Sequence, residues 1–347
     1  TGRSARVDSN TIGAMDAAEG AHYLKHFLAD SIVRDFEHLR RTQFAGSRWV
    51  SLGQSYGGFL TLTYLSLFPD ALTASFTTGG IPHVPADATE VYEHTFPRME
   101  RKTEQFYARY PQDRARLAVL ADRLSADPLP LPNGDPLTVE RLQTIGSSFG
   151  MKPSFERVHW LLDEAFAAGD GSASASSPIS DEFMRGVESA TASHPLYWPL
   201  QEFIYANGEL ERPIDWAAQR VRDTMPRFST DARPLLLTGE AVFPWMFEQE
   251  KQLKPFRGAV ETMMQDTRFG VIYDEGQLAR NEVPLRAAVY FDDMYVDSSL
   301  SLDTLSRIGN ACAWVTNEFE HDGVHGATVF RRLFDEACAN GDLQAMF

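Results

Sequence analysis

Cysteine is nearly absent from this 347-residue chain. Only Cys312 and Cys338 occur, too few and too far apart to build a disulfide framework or a thiolate metal cage. That scarcity fits a reducing compartment, so a cytoplasmic location is the expectation. Basic charge is also short: 32 Lys and Arg stand against 48 Asp and Glu, a net −16 that would repel nucleic acid and anionic lipid unless a local basic patch offset it. No such patch is evident. Long apolar runs are missing as well, because the most apolar stretch, residues 49 to 68, is broken by Gln54, Ser55 and glycines, short of the roughly 20 residues that span a bilayer. The first six residues hold no apolar signal-peptide core and do not begin with Met, so the chain is expected to start partway into the protein. What remains is ordinary globular composition, 43% hydrophobic and 23% charged, enough for a core domain carrying a second, smaller one.

Periodicity organises the chain. Between His22 and Arg41, Tyr23, Phe27, Ile32, Val33, Phe36 and Leu39 recur at three- and four-residue spacing, which predicts one amphipathic helix. A β-prone run, 48 to 52, then leads through glycines into an apolar segment, 59 to 65, that ends before Pro69, which reads as strand, tight turn, helix. A second apolar run, 71 to 78, closes on Gly79-Gly80. From about 82 to 253 the texture becomes helical and charged, with a small-residue loop at 169 to 178 to which no chemistry is assigned. Alternation returns with strand-like runs at 286 to 291 and 311 to 316, separated by a helix-like stretch, 301 to 310. The class is therefore α/β with a parallel sheet and a mainly helical insertion. The expected division is a core of 1–82 and 260–347 and an inserted domain of 83–259. No internal repeat of fixed period is present.

Gly53-Gln54-Ser55-Tyr56-Gly57-Gly58 matches the G-x-S-x-G nucleophile elbow and stands where that motif must, between a strand and a helix. Glycines two before and two after the serine are expected because the turn strains the serine backbone and leaves no room for Cβ atoms. A nucleophilic serine needs a base and an acid. The strand at 286–291 runs into Asp292-Asp293, which places a carboxylate at a strand's C-terminal end. Beyond it only His321 and His325 remain of nine histidines, both in a short polar loop, and either could be the base. Their spacing also matches a helical zinc site, but Asp322 replaces the expected Glu and Gly323 opposes a helix, so no metal is assigned.

Three segments, Gly53 to Gly58, Ala288-Val-Tyr-Phe-Asp-Asp-Met-Tyr295 and Thr316-Asn-Glu-Phe-Glu-His-Asp-Gly323, resemble the prolyl aminopeptidases (proline iminopeptidases) in their larger form, and the resemblance extends across most of the chain. It implies an α/β-hydrolase core with a helical cap and a serine exopeptidase that releases N-terminal proline from peptides through an acyl-enzyme. It assigns Ser55 as nucleophile, Asp293 as acid, His321 as base and the Tyr56 N–H as an oxyanion donor, with Asp292 and His325 in reserve. Holding the substrate's free amine calls for carboxylates, and Glu202 and Glu248 match the amine-binding glutamates, with Glu240 a weaker candidate. Both Glu202 and Glu248 lie among aromatic residues, a poor setting for an idle charge. No cofactor is implied, the partner is a peptide with a free N-terminal proline, and oligomeric state is left open. The family's HGGPG oxyanion loop does not occur in this sequence. The resemblance thus leads to the expectation that this loop and the first strands of the sheet lie upstream of Thr1, and that the chain is a fragment or one that needs a partner segment. Two rival readings remain: another α/β-hydrolase acting on an ester, amide or epoxide, and a catalytically silent peptide-binding protein.

Overall fold

The structure, a computed structural model, describes residues 7–166 and 177–344. The first six residues and most of the small-residue loop at 169 to 178 lie outside the described residues. Six strands occur among the described residues: β1 (Trp49–Gln54), β2 (Leu72–Thr78), β3 (Leu129–Pro130), β4 (Pro136–Leu137), β5 (Leu285–Tyr290) and β6 (Ala311–Thr316). The described residues divide into two compact units. One comprises His22–Val91, Glu202–Ile214 and Gln265–Phe347; the other comprises Thr1–Ala21, Tyr92–Gln201 and Asp215–Met264.

The first unit is an α/β sandwich. β1, β2, β5 and β6 form a four-stranded sheet in that order, every neighbouring pair parallel. Parallel neighbours need crossovers, and helices Tyr56–Leu67 and Ser298–Ser306 supply them between β1 and β2 and between β5 and β6. Side chains alternate along β5. Leu285, Ala287 and Val289 pack with Val33, Leu62 and Leu305 on one face. Ala288 and Tyr290 pack with Val329 and Leu333 of helix Ala327–Ala339 on the other. A strand buried on both faces is mostly apolar, and β5 departs from that only at Arg286, whose buried guanidinium pairs with Asp342. Each fully buried Leu or Val contributes about 1.5–3 kcal/mol.

The single helix expected over 22–41 is two, Ala17–Lys25 and Ala29–Gln43. Leu28 between them is extended, with φ −85° and ψ 171°. Leu24, Leu28 and Val33 are all buried, so apolar residues continue across the break, which shows only as the five-residue step from Leu28 to Val33. The second unit is mainly helical, with helices such as Pro111–Ala126, Phe155–Asp163 and Asp181–Ala190 and the antiparallel β3–β4 hairpin. Among the described residues, no helix is long and apolar enough to cross a membrane.

Candidate active site

Ser55 follows the last residue of β1 and precedes helix Tyr56–Leu67. Its backbone sits at φ 54° and ψ −125°, a region that costs a non-glycine residue energy and that the surrounding structure must impose. Two hydrogen bonds impose it: Ser55 N–H donates to the Thr78 carbonyl at 3.1 Å, and Gly58 N–H donates to the Ser55 carbonyl at 2.8 Å. The Ser55 side chain makes no capping bond to the helix. Tyr56 opens that helix, so its N–H lacks an intrahelical acceptor. A Cβ at Gly53 would collide with the Gly57 carbonyl, one at Gly58 with the Gly80 carbonyl, and one at Gly80 with the Ser55 carbonyl. Gly57 differs from expectation. A Cβ there would meet no described atom within 4 Å, so the close approach falls on Gly53, Gly58 and Gly80.

Asp293 follows β5 and His321 follows β6. Both are essentially fully buried, and His321 Nδ1 lies 2.7 Å from Asp293 Oδ2. The other carboxylate oxygen, Oδ1, accepts from the Tyr295 and Val296 N–H groups at 2.8 and 3.1 Å. With the Asp293 oxygen as acceptor, Nδ1 carries the shared proton and Nε2 is the ring nitrogen that keeps a lone pair. The Tyr295 ring stands edge-on to the imidazole with centroids 4.9 Å apart. Gly79, at φ +53°, passes beneath it: a Cβ there would lie 2.9 Å from the Tyr290 ring and 3.3 Å from His321 Nδ1. The pair and the elbow thus meet at Gly79-Gly80, at the C-terminal ends of all four sheet strands, where open α/β sheets place their sites. Asp292 is only partly buried and is not the carboxylate bonded to His321. His325 points outward, its side chain 70% exposed and 3.9 Å from Asp322. Gly323–His325 is a single 3-10 turn, so the two histidines do not share a helix face as the zinc spacing requires.

Relatives of this chain carry a consistent name. It is 39% identical over 338 residues to a proline iminopeptidase of Aeromonas sobria, covering 96% of this chain and 77% of that protein. It is 32% identical over 332 residues to a proline iminopeptidase of Aspergillus aculeatus, covering 93% and 72%. The chain belongs to the proline iminopeptidase family of α/β-hydrolases. Among solved structures, a proline iminopeptidase of Mycobacterium smegmatis aligns at 11% identity and a TM-score of 0.41, over 94% of this chain and 75% of that one. No protein-family model matches the sequence.

The glutamates assigned to amine binding in such a peptidase occupy three different settings. Glu202 opens the 3-10 helix Glu202–Tyr205, is fully buried and belongs to the sheet-containing unit, although its position in the sequence falls within 83–259. Burial raises the pKa of the neighbouring Tyr205 phenol, and the negative charges of Glu202 and Asp293 raise it further. Glu202 and the Asp293–His321 pair therefore share one electrostatic neighbourhood. Glu248, in the helical unit, pairs with Arg257 at 3.1 Å with both side chains about half exposed. Glu240, in the same unit, accepts from the Tyr197 hydroxyl.

Several neighbours of the site went unassigned in the sequence. Gly79-Gly80 reads there as the end of a strand, yet these residues give the elbow and the histidine room to meet. The signal was a glycine pair at the C-terminal end of the strand beside the nucleophile's own. The Tyr295 N–H bond to Asp293 leaves no signal in the residue type, because any residue but proline could supply it.

Proposed function

We propose that this chain is a serine aminopeptidase that releases N-terminal proline from peptides. The observation that carries the chemistry is the buried 2.7 Å bond between His321 and Asp293 beside the Ser55 elbow. His321 Nε2 takes the proton from Ser55 Oγ as the oxygen attacks the prolyl carbonyl, and Asp293 holds the imidazole in the right tautomer and stabilises the imidazolium. The tetrahedral oxyanion is held by the Tyr56 N–H, which already faces no helical acceptor. His321 then returns the proton to the leaving amine, and water, activated by the same base, hydrolyses the acyl-enzyme to free proline.

Peptides with a free N-terminal proline are the substrate class, by analogy with the named relatives. A secondary ammonium buried away from water needs an anionic partner, and Glu202 is our assignment, because it is fully buried and electrostatically coupled to the same phenol as Asp293. The helical unit is assigned a substrate-selecting role. Glu240 and Glu248 there are further candidates for binding the substrate's amine.

The test combines labelling with turnover. A fluorophosphonate should modify Ser55, located by peptide mapping, and Ser55→Ala should abolish both labelling and hydrolysis of proline p-nitroanilide. Labelling at a different serine, or turnover that survives Ser55→Ala, would reject the assignment.

A further inference from the structure

Gln54 occupies the variable position before the nucleophile and reaches away from it. Its side-chain Nε2 donates to the backbone carbonyl of His321 at 3.2 Å, joining residues 267 positions apart. The bond is part-buried, and its two ends are informative. Gln54 is the last residue of β1, held by parallel pairing to Thr78 of β2, so its backbone is fixed with that of Ser55. His321 lies beyond β6 in a loop with no regular structure until the turn at Gly323. The Asp293 bond sets the ring's rotation and tautomer, but it ties the histidine to the end of β5, two strands away from the nucleophile. Gln54 ties the histidine's own peptide to the nucleophile's strand.

We propose that Gln54 is a positioning residue that sets the distance between the Ser55 hydroxyl and the His321 imidazole. The inference rests on the serine-hydrolase reading above and adds to it a component outside the three triad side chains. Proton transfer demands hydrogen-bond reach, and a misplacement of about 1 Å at a reacting group costs on the order of a hundredfold in rate. A loop freed from this tether keeps its Asp293 bond, still binds substrate, and transfers the proton less often. The effect therefore belongs in kcat and not in KM.

The test uses Gln54→Met, which keeps length and loses the donor, and Gln54→Glu, which keeps shape and loses the donor only when ionised. Two rates are read for each: labelling of Ser55 by an alkyl fluorophosphonate, which needs no peptide recognition, and turnover of proline p-nitroanilide. For Gln54→Met both rates fall tenfold or more, while KM stays within about twofold and the thermal midpoint is nearly unchanged. For Gln54→Glu the labelling deficit relative to wild type shrinks as pH is lowered through the carboxyl's titration, because the acid form donates again. A purely structural role would not produce that pH-dependent recovery, and Gln54→Glu carries the test alone should Gln54→Met fail to fold. Wild-type labelling by Gln54→Met, or a Gln54→Glu deficit that ignores pH, overturns the proposal. A wild-type chain that labels but does not turn over the proline substrate overturns the substrate assignment only; one that does not label overturns both.

Discussion

Replacing Asp293 by Asn removes one charge and almost no volume, and the hydrogen bonds around it decide how the amide settles. Oδ1 accepts from two backbone N–H groups, Tyr295 at 2.8 Å and Val296 at 3.1 Å. Those donors cannot turn away, so the Asn carbonyl oxygen must face them, and its NH2 is driven to the position of Oδ2, 2.7 Å from His321 Nδ1. A donor there requires Nδ1 to accept, which moves the imidazole proton to Nε2, the nitrogen that must receive the proton of Ser55. The wrong tautomer in a serine triad lowers kcat by about 10⁴-fold, equivalent to about 5 kcal/mol of lost transition-state stabilisation. Folding should suffer far less, since both backbone donors keep an acceptor and no charge is left buried. The assay is kcat and KM for proline p-nitroanilide, with thermal melting measured in parallel. A variant within tenfold of wild-type kcat, folded and pure, would refute the reasoning from the two backbone donors.

Other expectations follow from the same geometry. Gly57→Ala should be tolerated and stabilise the helix by up to about 1 kcal/mol, whereas Gly58→Ala, whose Cβ meets the Gly80 carbonyl, should destabilise by at least about 1–3 kcal/mol; chemical denaturation of both variants compares them directly. Gly79→Ala forces a side chain into a left-handed backbone and against the Tyr290 ring, so both stability and kcat should fall, the backbone alone costing about 1–2 kcal/mol. In the helical unit, burial pushes the Glu250 carboxyl up to about 7, opposed by Arg141 and by the hydrogen bond from Ser193. Its folded form thus holds a proton that the unfolded chain releases near the ordinary carboxylate value. Its contribution is fully present below about pH 4.5 and is lost as pH rises through about 7, a difference on the order of 3 kcal/mol. Glu250→Gln should flatten that slope and gain on wild type at pH 8 in thermal melts; a wild-type stability that rises from about pH 5 to 8, with Gln following it, would contradict this.

The sequence displays the sheet because strands buried on both faces carry few charges: β5 holds only Arg286 and β2 holds none, its hydroxyl residues standing among Leu72, Ala74 and Phe76. It displays the elbow because a strained serine between a strand and a helix demands glycine nearby, although Gly57, inside the motif, proves unconstrained while Gly80, outside it, is tightly packed. Local pattern could not separate Asp292 from Asp293 or His321 from His325, since adjacent loop residues differ only in which way the chain turns them. The break at Leu28 leaves only a weak trace, a five-residue step between buried Leu28 and Val33 amid otherwise helical spacing. The grouping of Glu202–Ile214 with the sheet was equally invisible, for it depends on packing between segments distant in sequence. Long-range tethers such as Gln54 to His321 leave no local trace at all.

The central claim is that one buried site couples serine chemistry to recognition of a free prolyl amine. The most direct measurement is kcat/KM for proline p-nitroanilide and for its N-acetylated counterpart, each with wild type and with Glu202→Gln. The account predicts that wild type hydrolyses the free amine and leaves the acetylated compound nearly untouched, and that Glu202→Gln loses most of the free-amine activity while Ser55 still labels with a fluorophosphonate. Equal hydrolysis of both compounds, or a Glu202→Gln variant as active as wild type on the free amine, would contradict it.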